Sequence, residues 1–153
     1  MLLGLQAANF APTMPIKLQI LDHGAGLLIE GSGHVNEAEY LHFFRTHLSS
    51  GAIASQTQKY SLTDWSQVTE AKISNAAIQE VAALSREVLI QNPQIVMAFV
   101  AHDDLLFGLT RMFELSTSQP DSLMRVFHQR SEAESWVRAE VKARFGAEDL
   151  IFS

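Results

Sequence analysis

The chain predicts an α/β fold, a mixed sheet of about five strands with an N-terminal hairpin and four helices. Three observations carry that prediction. The run Ile95–Ala101 is apolar throughout, which marks a strand covered on both faces, as in a parallel sheet. His102-Asp103-Asp104 follows at once and opens a helical pattern, so strand, cap and helix succeed one another without a spacer. Other strand-like segments alternate with helix-like ones, and strands joined by helical crossovers run parallel, with right-handed connections.

Element by element, Ile16–Leu21 alternates and meets the turn signal Asp22-His23-Gly24, with Ala25–Glu30 as the return strand, ended by Gly31-Ser32-Gly33. Asn36 and Glu39 have capping-box spacing before a helix carrying Tyr40, Leu41, Phe44 and Leu48, which ends at Ser49-Ser50-Gly51. Residues 52–57 fit no element. Lys59–Asp64 reads as a short strand with Tyr60, Leu62 and Asp64 on one face, followed by a polar linker at Thr69–Lys72. Ser74 caps a long helix to Gln91, stopped by Asn92-Pro93. After the 95–101 strand, a helix over 104–117 directs Leu105, Leu109, Met112 and Phe113 inward. Gln119-Pro120-Asp121 is a turn, and Leu123–Phe127 is the last strand. Ser131 with Glu134 forms a second capping box, opening a helix with Trp136, Val137 and Val141 inward and with Glu134–Arg138 and Glu140–Arg144 spaced as ion pairs.

Composition bounds the function. With 153 residues, 47% hydrophobic and 18% charged, the chain has the size and make-up of one soluble globular domain. A formal net charge of −6 argues against nucleic acid or an anionic membrane as partner. Having no cysteine, it has no disulfide framework, thiolate metal site or cysteine nucleophile, and a cytoplasmic location is expected. Met1–Leu5 is apolar but lacks a positive flank and is too short for a signal peptide or stable membrane insertion. Residues 1–13 are expected to be an N-terminal tail and residues 14–153 a single domain, with Met14 a second candidate start.

Few motifs point to chemistry. Ser74 and Asn75 open a helix, where a phosphate would meet the positive end of the dipole, although a plain cap explains the serine. Asp64 and Trp65 close a strand, where α/β sheets place ligands, and a tryptophan there suits a binding anchor. The His102-Asp103 pair has an acid–base composition but reads more simply as a helix cap. Glu39-x-x-His42 has the spacing of carboxylate-bridged metal sites without the second pair such sites need, so no metal and no cofactor is expected. Gly108, in mid-helix, costs ~1 kcal/mol relative to alanine unless a close approach compensates. Its neighbours Phe107, Arg111 and Met112, with Phe44, are the candidate lining of an apolar ligand pocket.

Tyr60–Ser66, Asn92–Ala101, His102–Glu114, Arg125–Phe127 and Glu132–Val137, in that order, resemble the SpoIIAA-like STAS domains over roughly residues 16–145, and in particular their uncharacterised bacterial branch. The resemblance implies a regulatory domain of the anti-sigma-factor-antagonist type. Regulatory members carry a phosphorylatable serine in an Asp-Ser-Ser-Gly-type motif. Ser74 matches its position, but Ile73 replaces the aspartate and Ala76 the glycine, which implies a domain lacking the standard phosphoserine switch. The branch's association with lipid-carrier domains implies a ligand pocket as the alternative.

The expectation is therefore a non-catalytic cytoplasmic interaction module that docks a protein partner through the helix face beginning at Ser74. The alternative is a carrier of an apolar small molecule. A symmetric homodimer is compatible with either, two-fold dimers being the commonest oligomers.

Overall fold

The computed structural model describes residues 14–49, 58–117, 123–146 and 149–152. The expected N-terminal tail, the stretch 52–57 and the 119–121 turn lie outside them. Five strands, β1 (Ile16–Leu21), β2 (Gly26–Asn36), β3 (Tyr60–Lys72), β4 (Val96–Val100) and β5 (Leu123–Phe127), form one sheet in the order β1-β2-β3-β4-β5. Only the β1–β2 pair is antiparallel. The helices are α1 (Glu37–Ser49), α2 (Asn75–Gln91), α3 (Asp104–Thr117) and α4 (Arg130–Phe145).

Strand order decides where the helices go. Each parallel connection steps one strand in the same direction, so right-handed crossovers place all three connecting helices on one face. There α1, α2 and α3 cover Ile29, Val68, Met97, Phe99 and Val126. The last helix has no strand to return to and seals the opposite face, setting Ala133, Val137 and Val141 against Tyr60, Leu62, Ala98 and Val100. Both valines are fully buried, contributing about 1.5–3 kcal/mol each. β4 lies between the two layers and is buried along its whole length, as a run without polar alternation requires.

The turn after β1 is a single 3-10 turn at Asp22–Gly24, with Asp22 and His23 in left-handed backbone at φ 49° and 56°. The Asp22 carboxylate holds the turn by accepting the Ile151 and Phe152 N–H groups at 3.0 and 3.2 Å and the Tyr60 hydroxyl at 2.5 Å. The chain end thereby folds back over the hairpin and buries Leu150.

Several boundaries differ from expectation. β2 continues through Gly31-Ser32-Gly33 to Asn36 by way of register shifts, and β3 runs on past Asp64 to Lys72, replacing the expected linker. These extensions pair with each other beyond the end of β4, forming a two-stranded arm whose Val35 and Val68 are buried under α1. In α3 the buried residues are Thr110, Phe113, Glu114 and Thr117, while Leu105 is 66% and Met112 39% exposed. Threonine can turn inward because each hydroxyl bonds its own helix, Thr110 Oγ1 to the Leu106 carbonyl at 2.7 Å and Thr117 Oγ1 to that of Phe113 at 2.8 Å. α4 starts at Arg130 with Gln129 in the cap position and no side-chain capping bond, so the Ser131–Glu134 box does not form. Glu134 instead takes the Arg130 Nε–H at 3.0 Å, and Arg138 donates to the Leu150 carbonyl.

Candidate functional site

Ser74 caps α2 as its position predicts, its Oγ accepting the Ala77 N–H at 3.1 Å. Its own N–H is held at 2.8 Å by Glu37, from the first turn of α1. The Ser74 hydroxyl and amide together hold the Glu37 carboxyl below its usual range. A carboxylate thus lies beside the Ser74 amide. Asn75 is exposed.

Asp64 and Trp65 sit in mid-strand, not at a strand end, and point to opposite faces of the sheet. Asp64 is buried on the α4 side, accepting the Ser66 N–H at 2.8 Å and lying 3.2 Å from the Arg130 guanidinium. Arg130 also meets Glu30 at 3.3 Å and Glu134 at 3.0 Å, so one cation ties β2, β3 and α4 together. Within this cluster only the Arg130–Glu134 pair has a spacing legible in the sequence, Glu30 lying 100 positions before Arg130. The acid–base candidate Asp103 and the metal-spacing candidate Glu39 are also engaged structurally. Asp103 Oδ1 caps α3 through the Leu105 and Leu106 N–H groups at 2.9 and 3.1 Å, and Glu39 completes the capping box with Asn36.

Trp65 faces the helical layer, where its ring lies 6.5 Å from that of Tyr40 and 6.3 Å from that of Phe44. It fits there because Gly31 has no side chain. A Cβ on Gly31 would stand 2.4 Å from the Trp65 ring. Beside the tryptophan, between β3 and the three covering helices, is a hollow of about 70 Å³. Its base is Ser61, Thr63, Met97 and Phe99, all buried, and its rim includes the half-exposed Leu48 and Leu106. Of the four residues expected to line a ligand pocket, Phe44 does so. Phe107, Arg111 and Met112 occupy other sides of α3. Phe107 stacks on His128 with ring centres 4.0 Å apart, Arg111 pairs with Glu114, and Met112 faces outward. Burial raises the Glu114 carboxyl above its usual range against the opposing pull of Arg111. The missed polar lining residues include Tyr40, Ser85 and Thr110 on the helices and Ser61 and Thr63 on β3. For the strand pair the one legible signal was the alternation Ser61, Thr63, Trp65 on the face opposite Tyr60 and Leu62.

The outward side of α3 forms a second feature. Leu105, Gly108, Met112 and Leu115 recur at heptad spacing, within one narrow arc of the helix, and all four are exposed. Among the described residues nothing lies within 4 Å of where a Gly108 Cβ would be, so none of their contacts accounts for the glycine.

Comparison with solved structures places this architecture. The unphosphorylated form of the anti-sigma factor antagonist SpoIIAA superposes with a TM-score of 0.53 at 10% identity, over 80% of this chain and 97% of that one. The fold is SpoIIAA-like. The phosphorylated form of SpoIIAA from Bacillus, described as a cell fate determinant, gives a TM-score of 0.51 at 13% identity, over 80% of this chain and 99% of that one. An uncharacterised protein from Shewanella loihica with a SpoIIAA-like fold gives 0.47 at 15% identity, over 80% and 91%. No family model matches the sequence, and no curated protein matches it closely enough to count as a relative. Among the described residues no helix is long and apolar enough to cross a membrane.

Proposed function

We propose that the protein is a non-catalytic cytoplasmic interaction domain that docks an amphipathic helix of a protein partner across the outer face of α3. The observation that carries this reading is the exposed Leu105-Gly108-Met112-Leu115 stripe. An exposed apolar row at this spacing suits helix-on-helix packing, and a glycine in its middle lets a second backbone approach closely. Asp104, exposed beside the stripe, favours a partner helix with a basic end. The SpoIIAA-like fold is compatible with a regulatory role of the anti-sigma-factor-antagonist kind. Ser74 acts in this reading as a cap and not as a phosphorylation switch, because Glu37 would repel a phosphate there.

The test is affinity purification with crosslinking from the protein's own cells. Wild type and Ser74→Ala should recover the same stoichiometric partner, and Leu115→Glu should lose it. Recovery of that partner by Leu115→Glu refutes docking on α3. Wild type that crosslinks only to itself, and ceases to in Leu115→Glu, assigns the face to a homodimer instead. A second reading, binding of a small apolar molecule, is favoured by the hollow beside Trp65.

A further inference from the structure

The hollow between β3 and the helical layer contains an unexplained polar group. Ser61 is 1% exposed, and its Oγ has no hydrogen-bond partner among the described residues. A buried hydroxyl without a partner is unfavourable, and alanine would fill the same place without that penalty. Ser61 lies on the central strand at the base of the hollow, with Thr63 next to it on the same face, and Ser85 of α2 also lines the hollow. The rest of the lining is apolar apart from Thr110, whose hydroxyl is already bonded within its helix, the Tyr40 hydroxyl and the Trp65 indole N–H, and no charged side chain lines it among the described residues.

Resting on the ligand-binding reading of this pocket, we infer that it holds a small neutral molecule, mostly hydrocarbon, that presents one alcohol or carbonyl oxygen to Ser61 Oγ. The hydroxyl requires the ligand to carry an oxygen. The absence of a counter-charge excludes a carboxylate, phosphate or amine at the buried end, since an unpaired buried charge is far more costly than an unpaired hydroxyl. Size sets the third limit. About 70 Å³ is less than half the ~150 Å³ of a cavity that takes benzene. The buried part is therefore a short-chain alcohol, aldehyde or ketone, or the oxygenated end of a longer chain that leaves past Leu48 and Leu106.

The experiment compares three probes on wild type and Ser61→Ala by two-dimensional amide NMR, with Trp65 fluorescence as a second readout. Xenon reports whether the hollow admits an apolar guest, 1-butanol adds the oxygen, and butyrate adds a charge to the same chain. Xenon should shift the amides around Ser61, Met97 and Phe99 in both proteins. Butanol should bind wild type about three- to tenfold more tightly than Ser61→Ala, the range for one hydrogen bond, and butyrate should leave these amides unmoved. Without ligand, Ser61→Ala should melt at or above the wild-type temperature. Equal butanol affinity in both proteins overturns the role of Ser61 while leaving the pocket, and xenon shifts without butanol shifts do the same. Failure of xenon itself overturns the pocket reading on which the inference rests. A clearly lower melting temperature for Ser61→Ala shows that the hydroxyl already has a partner, such as an internal water, and also overturns the inference. Ser61→Cys, which keeps the shape and weakens the donor, should show the same loss of butanol affinity if Ser61→Ala does not fold.

Discussion

Adding one methyl group at Gly31 should reveal how Trp65 is held. The Gly31→Ala Cβ would stand 2.4 and 2.6 Å from two carbons of the Trp65 ring and 2.9 Å from a Val68 methyl. Carbon atoms in contact prefer about 3.5–4.0 Å, so the ring must retreat by about 1 Å towards the hollow and the rings of Tyr40 and Phe44. Overpacking of this kind costs about 1–3 kcal/mol, partly offset by the ~0.5–1 kcal/mol that alanine gains over glycine within a strand. The net expectation is a loss of about 0.5–2 kcal/mol, measured by urea unfolding followed by far-UV circular dichroism. In a Trp65→Leu background the clashing ring atoms are gone. Gly31→Ala should then be close to neutral, giving a coupling of about 0.5–2 kcal/mol between the two positions. An equal cost in both backgrounds would show that the strain lies in the β2 backbone or at Val68, and the account of Trp65 seating on Gly31 would fail.

Gly108→Ala should stabilise the isolated protein by ~0.5–1 kcal/mol in thermal unfolding, because its Cβ meets open space, and should weaken the crosslink to a partner. Ser74→Ala should cost about 1 kcal/mol as a lost cap. Ser74→Asp keeps the cap but sets a charge against Glu37, so it should be the less stable of Ser74→Asp and Ser74→Asn until Glu37→Gln removes the difference. Arg130→Met leaves Glu30, Asp64 and Glu134 without their shared cation. It should destabilise at neutral pH, read from urea unfolding beside wild type, and equal midpoints would show that the cluster adds nothing. Burial holds the Glu114 carboxyl above its usual range, so its contribution to stability is present in acid and lost as pH rises through that raised value. Glu114→Gln should therefore gain on wild type between acid and neutral pH, read from melting temperatures, and a constant difference would refute burial as the cause.

What could be read in advance depended on whether one local rule sufficed. β4 and β5 appeared as apolar runs, and α1, α2 and α3 began where Asn36, Ser74 and Asp103 could cap them. The arm beyond Glu30 and Asp64 was hidden because β4 does not reach it. With water on much of its surface, it has only Val35 and Val68 as buried anchors amid polar residues. The facing of α3 was half legible, since Phe113 is buried and Leu109 packs against the core while Leu105 and Met112 face outward. Leu105 and Met112 outrank threonine in hydrophobicity, yet Thr110 and Thr117 neutralise their own hydroxyls and take the inner side. That rotation also moved Phe107, Arg111 and Met112 out of the pocket and left Phe44 in it. Beyond the Arg130–Glu134 spacing and the Ser61–Thr63–Trp65 alternation, the Arg130 cluster and the Ser61 hollow are products of strand order, which brings together groups far apart in sequence.

The unequal cover of the sheet has a consequence for synthesis. One face is closed by helices that emerge between the strands they join, so it can be buried piece by piece as the chain grows. The other face waits for Arg130–Phe145. Between the completion of β4 and the arrival of that helix, Tyr60, Leu62, Ala98 and Val100 have nothing to pack against. At ~5–20 residues per second this interval lasts a few seconds, long compared with hydrophobic collapse. A nascent chain paused or truncated within it presents this apolar face to its neighbours, so variants that weaken α4 should aggregate more readily than variants that weaken α1 to the same extent.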